Sequence, residues 1–211
     1  MYKFPYYTEA DTEKVISFMK ENSFAAIIGL EEIYPAATHI PLEVKVAGDG
    51  KIFLSGHLMK KTDHHIAFTK NENVLVIFSG PHAHISASWY TNPVMGSTWN
   101  YMVVHARGKI SFKDEQGTYE AVKAITNKYE NPESPSSFDK LPQEYTDQMV
   151  KAIAGFTIEV ESFENTFKLS QNRDKASQKN IIEQLRKRTD ANSLAIADAL
   201  MKVKETKQHD G

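Results

Sequence analysis

At 211 residues and 41% apolar composition, the chain can bury one continuous core, as a single domain or as a domain with a terminal appendage. Its formal net charge of -2 argues against binding polyanions with the whole surface, and the absence of cysteine excludes disulfides, thiolate metal sites and cysteine nucleophiles. The longest apolar runs, Phe24 to Ile28 and Val74 to Phe78, fall far short of the roughly 20 residues a membrane helix needs, and no basic region leads into an apolar one at the N-terminus, so a soluble protein of the cytoplasm is expected.

Thr8 or Asp11 can cap a first helix, whose apolar positions Val15, Phe18 and Met19 recur at helical spacing until Asn22-Ser23 ends it. A strand follows from Phe24 to Leu30. The segment Thr38 to Val46 alternates: Ile40, Leu42, Val44 and Val46 face one way, and His39, Pro41, Glu43 and Lys45 the other. That pattern predicts one half-buried strand. Pro41 has no N–H to give a ladder, so the strand lies at an edge there or the sheet opens locally. Gly48-Asp49-Gly50 is a hairpin turn leading into a strand from Lys51 to Ser55, and Leu58, Ile66 and Phe68 anchor a short helix after Gly56.

Val74 to Ser79 is a continuous apolar run typical of a central strand. Thr98 to Phe112 is a long alternating strand, with Met102, Val104, Ala106, Ile110 and Phe112 on one face. Helices are predicted from Asp114 to about Tyr129 and from Pro142 to Gly155, the second on the stripe Tyr145, Met149 and Ile153. Phe156 to Phe163 returns to strand, and two helices joined around Thr189-Asp190 fill the chain from Lys175 onward. Six strands in a closed or nearly closed barrel, edged by helices, account for this order better than an alternating parallel scheme.

Chemistry-bearing residues concentrate in Gly80-Pro-His-Ala-His-Ile-Ser-Ala-Ser-Trp-Tyr90 and Ser97-Thr-Trp-Asn-Tyr101, which hold both tryptophans, Trp89 and Trp99. Such a density of planar and hydrogen-bonding groups fits a pocket for a flat polar ligand; it fits equally two aromatic strand ends packing on each other. Gly56-His-Leu-Met-Lys-Lys-Thr62 places two lysines and a hydroxyl at a helix start, which is a phosphate cradle or a solvated surface pair. His82 and His84 share a strand face about 7 Å apart, a spacing better suited to pocket lining than to a metal without a third ligand, although one histidine suffices for haem. Lys168-Leu-Ser-Gln-Asn-Arg173 is a run of donors: it caps the next helix through Ser170 or Asn172, or it meets carbonyl or phosphate oxygens. There is no nucleophile elbow, Walker loop, dinucleotide fingerprint or His-Glu-x-x-His, so an enzyme here would need a cofactor for its reactive atom.

Taken together, the Gly80–Tyr90 and Ser97–Tyr101 runs, His39-Ile-Pro41, Gly56-His57 and Lys168–Arg173 resemble the PaiB family, FMN-binding negative transcriptional regulators, in the same order from Met1 to about Met201. The resemblance implies a six-stranded split β-barrel of the pyridoxamine-phosphate-oxidase-like type, mainly β with flanking helices, acting as a homodimer with FMN at the subunit interface. It implies a barrel domain over 1–172 with a helical insertion at about 114–154, then a helical extension over 173–211. By position, His57, Lys60, Lys61 and Thr62, with His39 on the neighbouring strand, match the flavin phosphate turn. Trp99 and Asn100 match the segment beside the ring, Trp89 belongs to the same aromatic motif, and Lys168 and Gln171 fall in the C-terminal signature. Lys60-Lys61-Thr62 stands where the family typically has Arg-Ala-Asn, and His84 where it has Tyr; a lysine lacks arginine's bidentate fork. The alternatives are a flavin-dependent oxidoreductase and a haem-binding split barrel. DNA is a further candidate partner through Arg186-Lys-Arg188, since nine basic residues face six acidic ones from Arg173 onward, a surplus also common on helical hairpins.

Overall fold

The computed structural model describes residue 1 and residues 4–209, with side chains as far as residue 203. Asp11 opens the first helix, its Oδ1 accepting from the amides of Glu13 at 3.0 Å and Lys14 at 3.4 Å, and α1 runs Thr12–Glu21. The chain then forms β1 (Phe24–Gly29), β2 (Ala36–Pro41), β3 (Glu43–Val46) and β4 (Ile52–Met59), followed by α2 (Asp63–Lys70) and β5 (Asn73–Ile85). After a 3-10 turn at Ala87–Trp89 come β6 (Thr98–Phe112), α3 (Glu115–Tyr129), α4 (Gln143–Ala152), β7 (Ile153–Lys168), α5 (Lys175–Lys187) and α6 (Ala191–His209). The fold is thus mainly β with flanking helices, on an open sheet of order β2-β1-β5-β6-β7-β4-β3. Two compact units divide it: Met1–Phe18, Ser79–Val104 and Glu164–Gly211 form the first, Met19–Phe78 and His105–Phe163 the second.

The sheet has seven strands where six were expected, and the extra one comes from Pro41. Proline gives no amide to a ladder, and the next amide, Leu42 N, donates to Ser23 O at 2.9 Å. The predicted Thr38–Val46 strand therefore divides. Its first half pairs antiparallel with β1, His39 opposite Ala26, and its second half pairs antiparallel with β4, Val44 opposite Leu54. These halves are the two ends of the sheet order, so within the second unit the sheet curls until its ends approach. A Cβ on Gly56 of β4 would meet Phe156 Cζ at 3.0 Å, Leu42 Cδ2 at 3.1 Å and Ile40 Cγ2 at 3.3 Å, which shows β2 and β4 facing the same interior. That interior is filled by the fully buried Ile27, Leu42, Leu54, Val76, Phe78, Phe156 and Ile158.

Two further boundaries differ from expectation. Strand β4 continues through Gly56 and His57 to Met59, so these residues precede the turn and do not form it. Strand β7 begins at Ile153, directly after α4, because Gly155 N donates to Thr118 Oγ1 at 3.0 Å and draws the chain onto α3. In the first unit, Ile181, Ile182 and Leu185 of α5 and Ile196, Ala197 and Leu200 of α6 pack with Ala83, Ile85, Tyr90 and Leu169 into a separate core. No helix among the described residues is long and apolar enough to cross a membrane.

Candidate functional site

In the second unit, the turn between β4 and α2 is built by its own side chains. Lys61 has φ 66°, one of two non-glycine residues among those described with left-handed backbone. Thr62 caps α2, its Oγ1 accepting from His65 N at 3.3 Å and donating to Met59 O at 2.9 Å, with His64 Nε2 a further 2.9 Å contact. The threonine hydroxyl therefore holds the turn in shape. Lys60 N donates to Ala152 O at 2.9 Å and its Nζ to Lys151 O at 3.2 Å, while the Lys61 side chain is exposed. Burial, then the charge of His64, then that of Lys60 hold His65 below the ordinary histidine range. Such a cationic turn at a helix start is suited to an anion. His57 on β4 is held low by burial, with Nδ1 buried and without a partner. His39 is exposed on β2 and stacks on Phe24, ring centroids 6.1 Å apart, with no hydrogen bond to the turn among the described residues.

In the first unit, β6 begins with Thr98, Trp99 and Asn100. Trp99 is 54% exposed and carries the rings of His82 and His84 at 6.1 and 5.9 Å. Asn100 is fully buried: its Oδ1 accepts from Ser170 Oγ at 3.0 Å, and its Nδ2 has no partner. A buried amide donor left open is uncommon and marks a place where a ligand acceptor fits. Trp89 is committed to packing, its ring lying 4.7 Å from the guanidinium of Arg188. Lys168 Nζ donates to Thr98 Oγ1 at 2.6 Å. Gln171 closes on its own backbone, Oε1 accepting from Leu169 N at 2.7 Å and Nε2 donating to Phe167 O at 2.6 Å, so it shapes the end of β7.

Residues that the sequence did not assign to the flavin complete this cluster. Ser170, with φ 60°, turns the chain and anchors Asn100; Tyr90, Arg173 and Tyr7 lie beside it. In the sequence Ser170 stands out only as a candidate cap of the next helix, within the run Lys168–Arg173. The next helix is capped by neither Ser170 nor Asn172 but by Asp174, which accepts from Ser177 N at 2.8 Å, Ser177 Oγ at 2.6 Å and Thr91 Oγ1 at 3.1 Å. These bonds, led by the Ser177 hydroxyl, lower its carboxyl from 3.8 to about 2. A folded-state pKa depressed in this way stabilises at pH values above the free one, and that contribution disappears as pH falls through the folded one. Stability is therefore expected to fall between pH 3.8 and about 2, and Asp174→Asn to flatten that part of an acid titration followed by circular dichroism.

The basic cluster of the tail is largely engaged. Arg186 Nη2 donates to Asp198 Oδ1 at 3.2 Å, and Arg188 Nη1 donates to His84 O at 2.9 Å, which leaves Lys187 exposed between them. The side chains of Lys204, Glu205 and Lys207, and all of Asp210, lie outside the described residues. No group of three or more metal-ligating side chains is found among those described.

Residues 1–162 match the family model described as "Putative FMN-binding domain". The chain is 36% identical over 209 residues to the protease synthase and sporulation protein PAI 2 of Bacillus subtilis (strain 168), covering 99% of this chain and 100% of that one. Among solved structures it is similar to the flavocytochrome Anf3 from Azotobacter vinelandii, with TM-score 0.60 and 14% identity over 80% of this chain and 72% of that one. It is also similar to the FAD and heme binding protein from Mycobacterium smegmatis, with TM-score 0.56 and 11% identity over 76% and 73%. At such identities these two likenesses speak for the fold. With the family's domain matched over residues 1–162 and a relative matched end to end, the chain belongs to the PaiB family of FMN-binding-domain proteins.

Proposed function

We propose that the protein works in the cytoplasm as a homodimer, with FMN at the subunit interface, and serves as a flavin-dependent sensor or negative transcriptional regulator. FMN is the cofactor of its family's domain. The observation that carries the reading is the Lys60–Thr62 turn, where a non-glycine residue is held in the left-handed region and two lysines meet the start of α2. This turn takes the phosphate. The Trp99–Asn100 segment takes the ring, Asn100 Nδ2 supplying a donor to a ring acceptor. His57 offers a second open nitrogen, whereas Trp89, Gln171 and Thr62 act by positioning. Bound flavin supplies reversible electron exchange; the protein binds and orients it. Residues 1–172 are assigned to cofactor binding and 173–211 to a helical extension.

The absorption spectrum of freshly purified protein tests this directly, flavin bands supporting it and their absence under saturating FMN opposing it. Bound flavin is expected to quench tryptophan fluorescence, and Trp99→Ala to remove part of that quenching together with affinity. For the regulatory part, the engaged arginines favour weak, non-specific and strongly salt-dependent DNA binding. A tight, sequence-selective promoter complex at physiological salt would assign DNA recognition to this chain itself. Haem binding is a second reading, favoured by His82 and His84 beside the exposed Trp99, and a Soret band would report it.

A further inference from the structure

Arg173 is half-buried, its guanidinium 4.4 Å from the Tyr90 ring centroid. Its side-chain hydrogen bond among the described residues runs from Nη1 to Met95 Sδ at 3.3 Å. A thioether is a weak acceptor, so most of the five guanidinium donors have no strong protein partner and are open to a carboxylate or phosphate, the groups that match the fork. The adjacent carboxylate, Asp174, is committed to Thr91 and Ser177. A second cation lies close. Lys168 Nζ sits over the Tyr7 ring at 5.8 Å, and burial and then Arg173 hold its ammonium below the ordinary lysine range.

Two rings with hydroxyls frame these cations. Tyr90 is only 5% exposed, and its hydroxyl has no partner. The Tyr7 hydroxyl bonds the Asn172 side chain and lies within the fields of both Arg173 and Tyr90. The backbone of the run is fixed, Arg173 N donating to Ser170 O at 3.0 Å and Gln178 Nε2 to Arg173 O at 2.8 Å. The run is also bonded to the start of β6 at two points, Lys168 to Thr98 and Ser170 to Asn100.

We propose that Arg173 and Lys168, framed by Tyr7 and Tyr90, form the recognition site for the oxyanion group, carboxylate or phosphate, of a small ligand that meets the flavin at the Trp99–Asn100 segment. The proposal rests on the FMN reading for the flavin's position and on its own residues for the anion. The Arg173 guanidinium and the open Tyr90 hydroxyl gain strong acceptors when such a group enters, and the neighbouring Lys168 ammonium, held by Thr98, adds its charge.

The test is calorimetric titration of FMN-loaded protein with benzoate and, separately, with inorganic phosphate, the flavin spectrum being followed in parallel. Saturable binding of either probe with a perturbed flavin spectrum is the expected result, the tighter probe identifying the oxyanion. Arg173→Gln should weaken it by about tenfold or more, and Tyr90→Phe, which removes one hydroxyl and keeps the ring, by a few fold, with FMN content unchanged in both. Arg186→Gln serves as the control that leaves binding as it was. No saturable binding of either probe, or binding indifferent to both substitutions, would overturn the proposal. Loss of FMN from Arg173→Gln but not from the Lys60→Ala, Lys61→Ala double variant would also overturn it, placing the flavin phosphate at Arg173. If wild type refuses FMN yet still binds benzoate through Arg173, the anion site stands and the cofactor reading falls.

Discussion

Replacing Lys60 and Lys61 together by alanine is expected to weaken FMN binding by about 1.5 to 3 kcal/mol for each lysine that makes a charge-assisted bond to the phosphate. Riboflavin, which lacks that phosphate, should bind wild type and double variant nearly alike. Thr62 keeps its bonds to Met59 and His65 in the variant, so the turn's shape survives the loss of charge. Lys61→Gly separates the two contributions. It removes the charge and relieves the left-handed backbone at φ 66°, so it should gain thermal stability while losing affinity. Equilibrium titration of flavin fluorescence measures all three proteins, and unchanged FMN affinity in the double variant would move the phosphate elsewhere.

The largest effect on stability is expected at Gly108, in the middle of β6. A Cβ there would fall on the carbonyl oxygen of Glu159 in β7, well inside van der Waals contact, and against Ile158 Cγ2 at 3.0 Å. The obstacle is backbone, so no side chain can turn aside to admit a methyl group. Gly108→Ala should therefore cost more than about 3 kcal/mol in urea unfolding, beyond ordinary overpacking, and forestall a folded product at physiological temperature. Gly48→Ala is the matched control: nothing lies within 4 Å of the added carbon, and only a few tenths of a kcal/mol should change. A Gly108→Ala protein as stable as wild type would mean that β6 and β7 are spaced differently there.

Periodic patterns in the sequence carried most of the elements. Strand β6 runs Thr98–Phe112 as its alternation predicts, and its buried positions Val104, Ala106 and Ile110 are those assigned to the core face. The division at Pro41 is hidden, because Ile40, Leu42 and Val44 keep one buried phase on both sides of it: alternation reports which face is buried, not which neighbour is paired. Ile153 misleads for a related reason. Its spacing of four from Met149 reads as helix, yet it is the first residue of β7, since α4 passes into the strand without a loop. At the candidate site, local signals locate the turn and the aromatic segment but not which groups remain open. Gln171 has the composition of a ligand donor and is consumed by its own backbone, whereas the Ser170 to Asn100 bond spans seventy positions and has no local sign. Arg188 reads as a surface cation; its guanidinium instead lies on Trp89 and bonds His84 O.

Leu42 is the sole residue between β2 and β3, is fully buried, and gives its amide to Ser23. The strands it joins are the two margins of the sheet, the places where an unpaired row of amides and carbonyls can recruit another molecule. Neither margin can swing outward without pulling that side chain from the interior, so connectivity itself discourages edge-to-edge growth. A few flexible residues inserted between Pro41 and Leu42 would leave the β1–β2 and β3–β4 pairings intact and yet free both margins at once, turning a self-contained sheet into one prone to exchange strands between molecules.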